Sequence, residues 1–172
     1  MLFKVFIAIL ILTIPHNNAF AENMIEQLIE EPEVVGKSRF RYMIFDLYDA
    51  TLYAPNAEWD QNKPYALSLN YLRPLSGKKI ATKSAEEIRR MGFTNEVKLA
   101  AWYAQMKMIF PDVKKGTILT GMHIPGKETQ FYHGEKQIGI IKDPSFGPWF
   151  FGIWLSNGTS DPSLRTSLIG EK

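Results

Sequence analysis

Cysteine is absent from this chain. That excludes disulfides, thiol nucleophiles and thiolate metal sets, and it leaves packing as the source of stability. A charge of one sign is lacking too, with 20 Lys and Arg against 18 Asp and Glu. The basic doublets Lys78-Lys79, Arg89-Arg90 and Lys114-Lys115 are short and scattered. They do not build the concentrated basic face that nucleic acid binding requires, and they read as solvated surface. Histidine is scarce, and after residue 21 only His123 and His133 remain, so a zinc set would lack its third ligand. No elbow motif surrounds Ser156 or Asp161, which argues against a covalent hydrolase triad. Beyond the first residues there is no apolar run near the roughly 20 residues that span a bilayer.

The beginning of the chain carries the strongest local signal. Lys4 precedes an apolar core from Val5 to Ile14 in which Thr13 is the one polar side chain, Pro15 interrupts it, and Ala19-Phe20-Ala21 presents two small side chains before Glu22. This is the pattern of a cleavable export signal, with cleavage expected after Ala21. The apolar run is about half of what a membrane anchor needs. The remaining stretch of roughly 150 residues suits one domain with a single core, located in the periplasm and not spanning the membrane. Residues 22–33, with Glu30, Glu31, Pro32 and Glu33 in a row, read as an acidic, irregular lead-in to a domain over 34–172.

Periodicity then places the elements. From Arg39 to Ala54 Phe, Tyr, Ile, Leu and Thr dominate without Gly, Pro or Asn, which favours strand, as does Tyr65 to Leu72. Ser84 with Glu87 forms a capping box and Gly92 a stop, which predicts a short helix. Asn95 to Phe110 carries Leu99, Trp102, Tyr103, Met106 and Phe110 at helical spacing and ends at Pro111-Asp112. Thr117–Ile124, Thr129–His133 and Lys136–Lys142, separated by Pro125-Gly126 and Gly134-Glu135, read as a meander. Asp143-Pro144-Ser145 starts a helix striped by Phe146, Trp149, Phe150, Ile153 and Trp154, and Asp161-Pro162 starts a last one, closed by Gly170. Met106, Met108 and Met122 are expected in the core. Strands and helices in this order imply an α+β fold with helices stacked on one face of an antiparallel sheet.

The segment Asp46-Leu47-Tyr48-Asp49-Ala50-Thr51-Leu52-Tyr53, the turn-rich Gly134 to Gly139, and Asp143-Pro144 through Phe150-Phe151-Gly152-Ile153-Trp154-Leu155-Ser156 to Leu164-Arg165 and Leu168-Ile169-Gly170 resemble the bacterial exported chalcone isomerase-like domain. The resemblance runs from Val34 to Gly170. It implies an open-faced β-sandwich, a curved antiparallel sheet backed by helices with a ligand cleft between them. The plant enzymes of the superfamily steady a phenolate with an Arg and position water with Thr and Tyr hydroxyls. Here the strand Thr aligns with Tyr48, so the resemblance implies that the plant-type catalytic set is not reproduced. Related plant proteins hold a fatty-acid carboxylate with an Arg and a Tyr, and Arg39 with Tyr48 is the matching pair. Arg41 is the second choice of cation.

A guanidinium fork and a phenol suit two carboxylate oxygens. In one straight strand, however, nine steps of about 3.3 Å would hold Arg39 and Tyr48 roughly 30 Å apart. In a hairpin centred on Met43-Ile44 they would sit directly across from each other. The competing view is that Tyr48 is a half-buried strand residue and Arg39 a surface charge.

The resulting reading is an exported, noncatalytic domain that binds a small apolar, fatty-acid-like ligand with an acidic end, needing neither metal nor cofactor. The alternatives are an isomerase or lyase on an aromatic or lipid substrate, haem binding through a single His or Tyr, and an envelope protein-interaction domain. Expressed in an exporting host, the mature chain is expected to begin at Glu22. Intact mass of the soluble fraction checks this, and a full-length chain held in the membrane fraction would make residues 1–21 an anchor instead.

Overall fold

In the computed structural model, which describes residues 25–171, the strand-forming stretch after residue 31 is two strands and not one. Strands β1 (Pro32–Tyr42) and β2 (Phe45–Pro55) form a hairpin turning at Met43-Ile44, where Met43 takes a φ of 55°. Strand β3 (Tyr65–Tyr71) pairs on β2. Two helices follow, α1 (Gly77–Arg90) and α2 (Glu96–Ile109). The expected meander is β4 (Ile118–His123), β5 (Thr129–His133) and β6 (Lys136–Ile141), and the chain closes with α3 (Phe146–Leu155) and α4 (Pro162–Ile169). All six strands form one antiparallel sheet in the order of the chain. The fold is thus α+β, with the helices on one face. The export segment 1–21 and its cleavage point lie outside the described residues.

Caps and alternation explain most of the boundaries. Asn95 caps α2 by accepting from Lys98 N at 3.0 Å, and Asp161 caps α4 by accepting from Leu164 N at 3.0 Å, each oxygen satisfying an orphan amide of the first turn. Gly170 ends α4 with a φ of 73°, a left-handed stop that glycine adopts at little cost. Along β3, Leu67, Leu69 and Tyr71 point to the helices while Ser68 hydrogen-bonds Thr120 across the strands at 2.7 Å.

Two expectations need correction. Helix α1 begins at Gly77 and not at Ser84, because Ser76 caps it and the Ser84 hydroxyl donates back to the Ile80 carbonyl at 3.0 Å. A serine bonded to its own preceding turn belongs inside a helix. Met108 is 80% exposed on α2, whereas Met106 and Met122 are buried as expected. The stretch read as an irregular lead-in also contributes to the packing. Residues 25–28 form a helical turn, and Ile25 and Ile29 bury themselves with Ala66, Met122 and Tyr132 on the sheet face opposite the helices.

The main core fills the space between sheet and helices, and its densest part is aromatic. Phe131 and Phe150 meet edge to face at 5.2 Å, Phe146 stacks on Phe150 at 5.1 Å, and Phe110 packs on Phe131 at 5.1 Å. Such pairs contribute about 0.5–1.5 kcal/mol beyond the area they bury. Asp143 ties α2 to the start of α3. Its carboxylate accepts from Trp102 Nε1 at 3.0 Å and pairs with Lys98 Nζ at 3.0 Å.

Helix α4 crosses the sheet where β1 has Gly36. A Cβ there would lie 2.2 Å from the Ser167 carbonyl oxygen and 2.5 Å from that of Leu168. Backbone cannot yield as a side-chain tip can, so Gly36→Ala is expected to lower stability by about 1–3 kcal/mol. Urea unfolding of the two proteins measures this, and an unchanged midpoint would mean that α4 does not sit this close to β1.

Candidate functional site

Between the helix-facing side of the sheet and helices α1, α3 and α4 lies a cavity of about 460 Å3. Its floor includes Leu67, Leu69, Tyr71 and Leu119, and its far wall Phe131 and Phe150. The volume is in the range that holds small-molecule ligands. Most of the lining is apolar, with Thr159, Ser160 and Asp161 at the start of α4 and two further sets of polar groups that can meet a ligand.

The first set is a pair of phenols on the floor. Tyr48 stacks on Phe40 at 5.1 Å and meets Tyr71 edge-on at 5.7 Å. Its hydroxyl accepts a hydrogen bond from Trp154 Nε1 at 2.9 Å. Because the indole can only donate, the proton of Tyr48 remains available to an acceptor in the cavity. Burial pushes the Tyr48 phenol far above the ordinary tyrosine range, and burial does the same to Tyr71. Both are therefore neutral donors, and neither serves as a phenolate. The Tyr71 hydroxyl has no hydrogen-bond partner among the described residues.

The second set belongs to α1, where Lys79, Lys83 and Glu87 line the cavity four residues apart, hence on one helix face. Glu87 is buried. Burial alone would raise its pKa, but hydrogen bonds from Arg90, Lys83 and Ser160 more than offset that and hold it below the ordinary glutamate range. The Arg90 and Lys83 distances are 2.7 and 3.1 Å. Lys83 and Glu86 are exposed where the cavity opens, and Lys83 pairs with Glu86 as well, at 3.6 Å. Lys79, also exposed, has no carboxylate partner among the described residues.

The expected ligand pair is not brought together. The hairpin does turn at Met43-Ile44, and Arg41 pairs with Asp46, but an extra residue, Leu47, then bulges from β2. The register beyond it sets Phe40 opposite Tyr48 and Arg39 opposite Asp49. One step of slip reverses the face of a side chain. Tyr48 consequently enters the cavity while Arg39 lies on the opposite side of the sheet. There its guanidinium holds Asp49 through Nε at 2.6 Å and Nη2 at 3.0 Å, and Asp46 through Nη1 at 3.2 Å. Arg41 is occupied by Asp46 and does not line the cavity either. The cations at the site, Lys79 and Lys83, were hidden from the sequence reading by starting α1 at Ser84. Their signal was the i, i+4 spacing of Lys79, Lys83 and Glu87.

Comparison with known proteins agrees with this architecture. A family model described as chalcone isomerase-like matches residues 36–170. An uncharacterized protein of Haemophilus influenzae is 25% identical over 138 residues, which cover 80% of this chain and 67% of that one. The crystal structure of a fatty-acid binding protein of Arabidopsis thaliana superposes with a TM-score of 0.62 at 11% identity, covering 81% of this chain and 87% of the other. At that identity the likeness is one of fold.

Neither histidine lines the cavity. His133 is exposed and pairs in the sheet with Leu119, and His123 pairs with Thr129. Thus the two do not face each other, and no group of three or more His, Asp or Glu side chains converges for a metal among the described residues. His123 is 3% exposed, packed between Tyr65 and Phe151, and its Nδ1 lacks a hydrogen bond. Burial lowers its pKa to about 4. The unfolded chain, with an ordinary histidine near 6.5, binds the proton that the native state refuses. Stability is therefore expected to fall as pH drops from about 6.5 towards 4, by up to about 3 kcal/mol. Unfolding midpoints at pH 7 and pH 5 measure this loss, and His123→Asn should flatten it. An equal loss in the variant would assign the effect to other groups.

Proposed function

The chain belongs to the chalcone isomerase-like family, and on that premise we propose that it is a noncatalytic binding domain whose cavity takes an elongated, largely apolar ligand with one acidic end, as in a fatty acid. The observation that carries this reading is the cavity itself, apolar and aromatic over floor and walls, with neutral hydroxyl donors inside and lysines where it opens. An apolar chain is favoured there by roughly 25 cal/mol for each Å2 it removes from water. A carboxylate, by contrast, needs a charged or hydrogen-bonding partner to offset its desolvation. Lys79 is the lining cation that no carboxylate occupies, so the acidic end is assigned to the α1 side of the opening.

The cavity has no arginine among its described lining residues. It therefore lacks the cation that the plant ring-closing chemistry uses, which supports the noncatalytic reading. The Arabidopsis protein of similar fold is titled a fatty-acid binding protein, which agrees with the ligand class. Export to the periplasm is proposed on the strength of residues 1–21 alone.

Titration with a fluorescent fatty acid is the test. Tyr48→Phe deletes one neutral hydroxyl and is expected to weaken binding about fivefold, near 1 kcal/mol. Lys79→Ala, at an exposed position, should cost about two- to fivefold. Arg39→Ala should leave affinity unchanged, since that guanidinium faces away. Leu69→Trp, which fills the cavity from its floor, should abolish binding while a thermal melt shows the fold retained. A wild type that fails to bind, or a folded Leu69→Trp protein that binds equally well, would refute the reading.

A further inference from the structure

The tip of the β1–β2 hairpin is apolar and bare. Tyr42 is 58% exposed, Met43 81%, Ile44 85% and Phe45 43%. Two-residue hairpin turns favour Asn and Gly, whose backbones accept the left-handed conformation. Here Met43 adopts a φ of 55°, a conformation that costs an ordinary side chain energy. Among the described residues, Met43 and Ile44 pack against neither core cluster, so no packing there offsets that cost.

Two observations indicate what the tip meets. First, it is continuous with the cavity: Tyr42 and Leu47 line it, and exposed Tyr42 borders the opening together with Lys79, Lys83 and Glu86. Second, cations without carboxylate partners flank it. The Arg73 guanidinium lies 4.0 Å above the Phe45 ring, and neither Arg73 nor Lys79 forms an ion pair among the described residues. Arg39 and Arg41, nearer the tip, are neutralised by Asp46 and Asp49. The patch is therefore an apolar point with a positive border.

We propose that this tip docks on the surface of a lipid bilayer containing anionic lipids. The side chains of Tyr42, Met43, Ile44 and Phe45 enter the interface, Arg73 and Lys79 meet headgroup phosphates, and the cavity opening faces the lipid. A convex tip of four side chains is far smaller than the roughly 1,200 Å2 that a stable protein interface buries. A deformable surface accepts it without a matching groove. Aromatic and long cationic side chains suit the boundary between headgroups and acyl chains, and each cation near an anionic leaflet adds to the attraction. Docking is peripheral and stands independently of the ligand. Only its use, passage of an apolar ligand between bilayer and cavity, rests on the binding function proposed above.

Co-sedimentation without added fatty acid tests docking, using vesicles of phosphatidylglycerol with phosphatidylethanolamine and, in parallel, vesicles of phosphatidylcholine. The protein is expected to bind the anionic vesicles and to bind phosphatidylcholine much more weakly. About 0.5 M salt should reduce the difference. Ile44→Glu should weaken binding about tenfold or more, and Arg73→Ala roughly fivefold. Ile44 is so exposed that the variant is not expected to unfold, and its unchanged affinity for a fluorescent fatty acid in vesicle-free buffer provides the control. Absence of binding to anionic vesicles, or undiminished binding by Ile44→Glu, overturns the proposal. So does a dimer in sedimentation velocity that Ile44→Glu dissociates while vesicles go unbound, because the tip would then meet a second copy. Vesicle docking by a wild type that binds no fatty-acid probe supports docking and counts against the cavity reading alone.

Discussion

Everything in this molecule hangs on the seating of α3 against the sheet. With no cysteine to cross-link the chain, the helices stay on the sheet because Phe146, Phe150, Phe151 and Trp154 bury their rings there. Each such ring removed from water contributes about 1.5–3 kcal/mol. The approach is close: a Cβ on Gly147 would fall 2.5 Å from His123 Nδ1, so the absence of a side chain lets the first turn of α3 settle over β4. The same closeness leaves His123 dry and neutral. Loss of packing elsewhere would not be compensated by any covalent tie.

The cavity follows from that seating. Large rings fill one end of the space between the layers, while α1, held by its cap at Ser76 and by Asp112 accepting from Gly77 N at 2.9 Å, covers the other end less closely. What remains is an apolar volume with an edge set by one helix and one hairpin. Its electrostatics are local. Glu87 stays ionised because Arg90 and Lys83 satisfy it, and the two phenols stay neutral because charge would be unsolvated there. Such a site is suited to holding an apolar molecule by shape and a few hydrogen bonds.

Much of this was legible from the residues. The cap at Asp161, the stop at Gly170 and the Pro125-Gly126 and Gly134-Glu135 turns are local chemistry, and the elements they bound stand where expected. The succession of motifs from Val34 to Gly170 identified the family. The misplaced start of α1 had a local cause as well, since Ser84 followed by Glu87 looks like a cap and only the bond from Ser84 to Ile80 shows otherwise. Met108 faced solvent instead of the core because helix α2 buries one stripe, and apolar character alone does not say which residues lie on it.

The amino-acid sequence by itself determined that the chain carries the α+β fold of this family, that a hairpin can turn at Met43-Ile44, and that Tyr48 lies on a strand. Whether Arg39 and Tyr48 share a face was decided only in three dimensions. Symmetric pairing about the turn would have set them opposite each other, but the bulge at Leu47 displaces the ladder by one residue. The reason is packing across the sheet. Phe40, Tyr48 and Tyr71 come into ring contact on the helix side, with Tyr48 reaching Trp154, while Arg39 meets Asp49 on the other side. These partners are distant in sequence, and a side-chain pattern of period 2 is equally compatible with either register until they are in place.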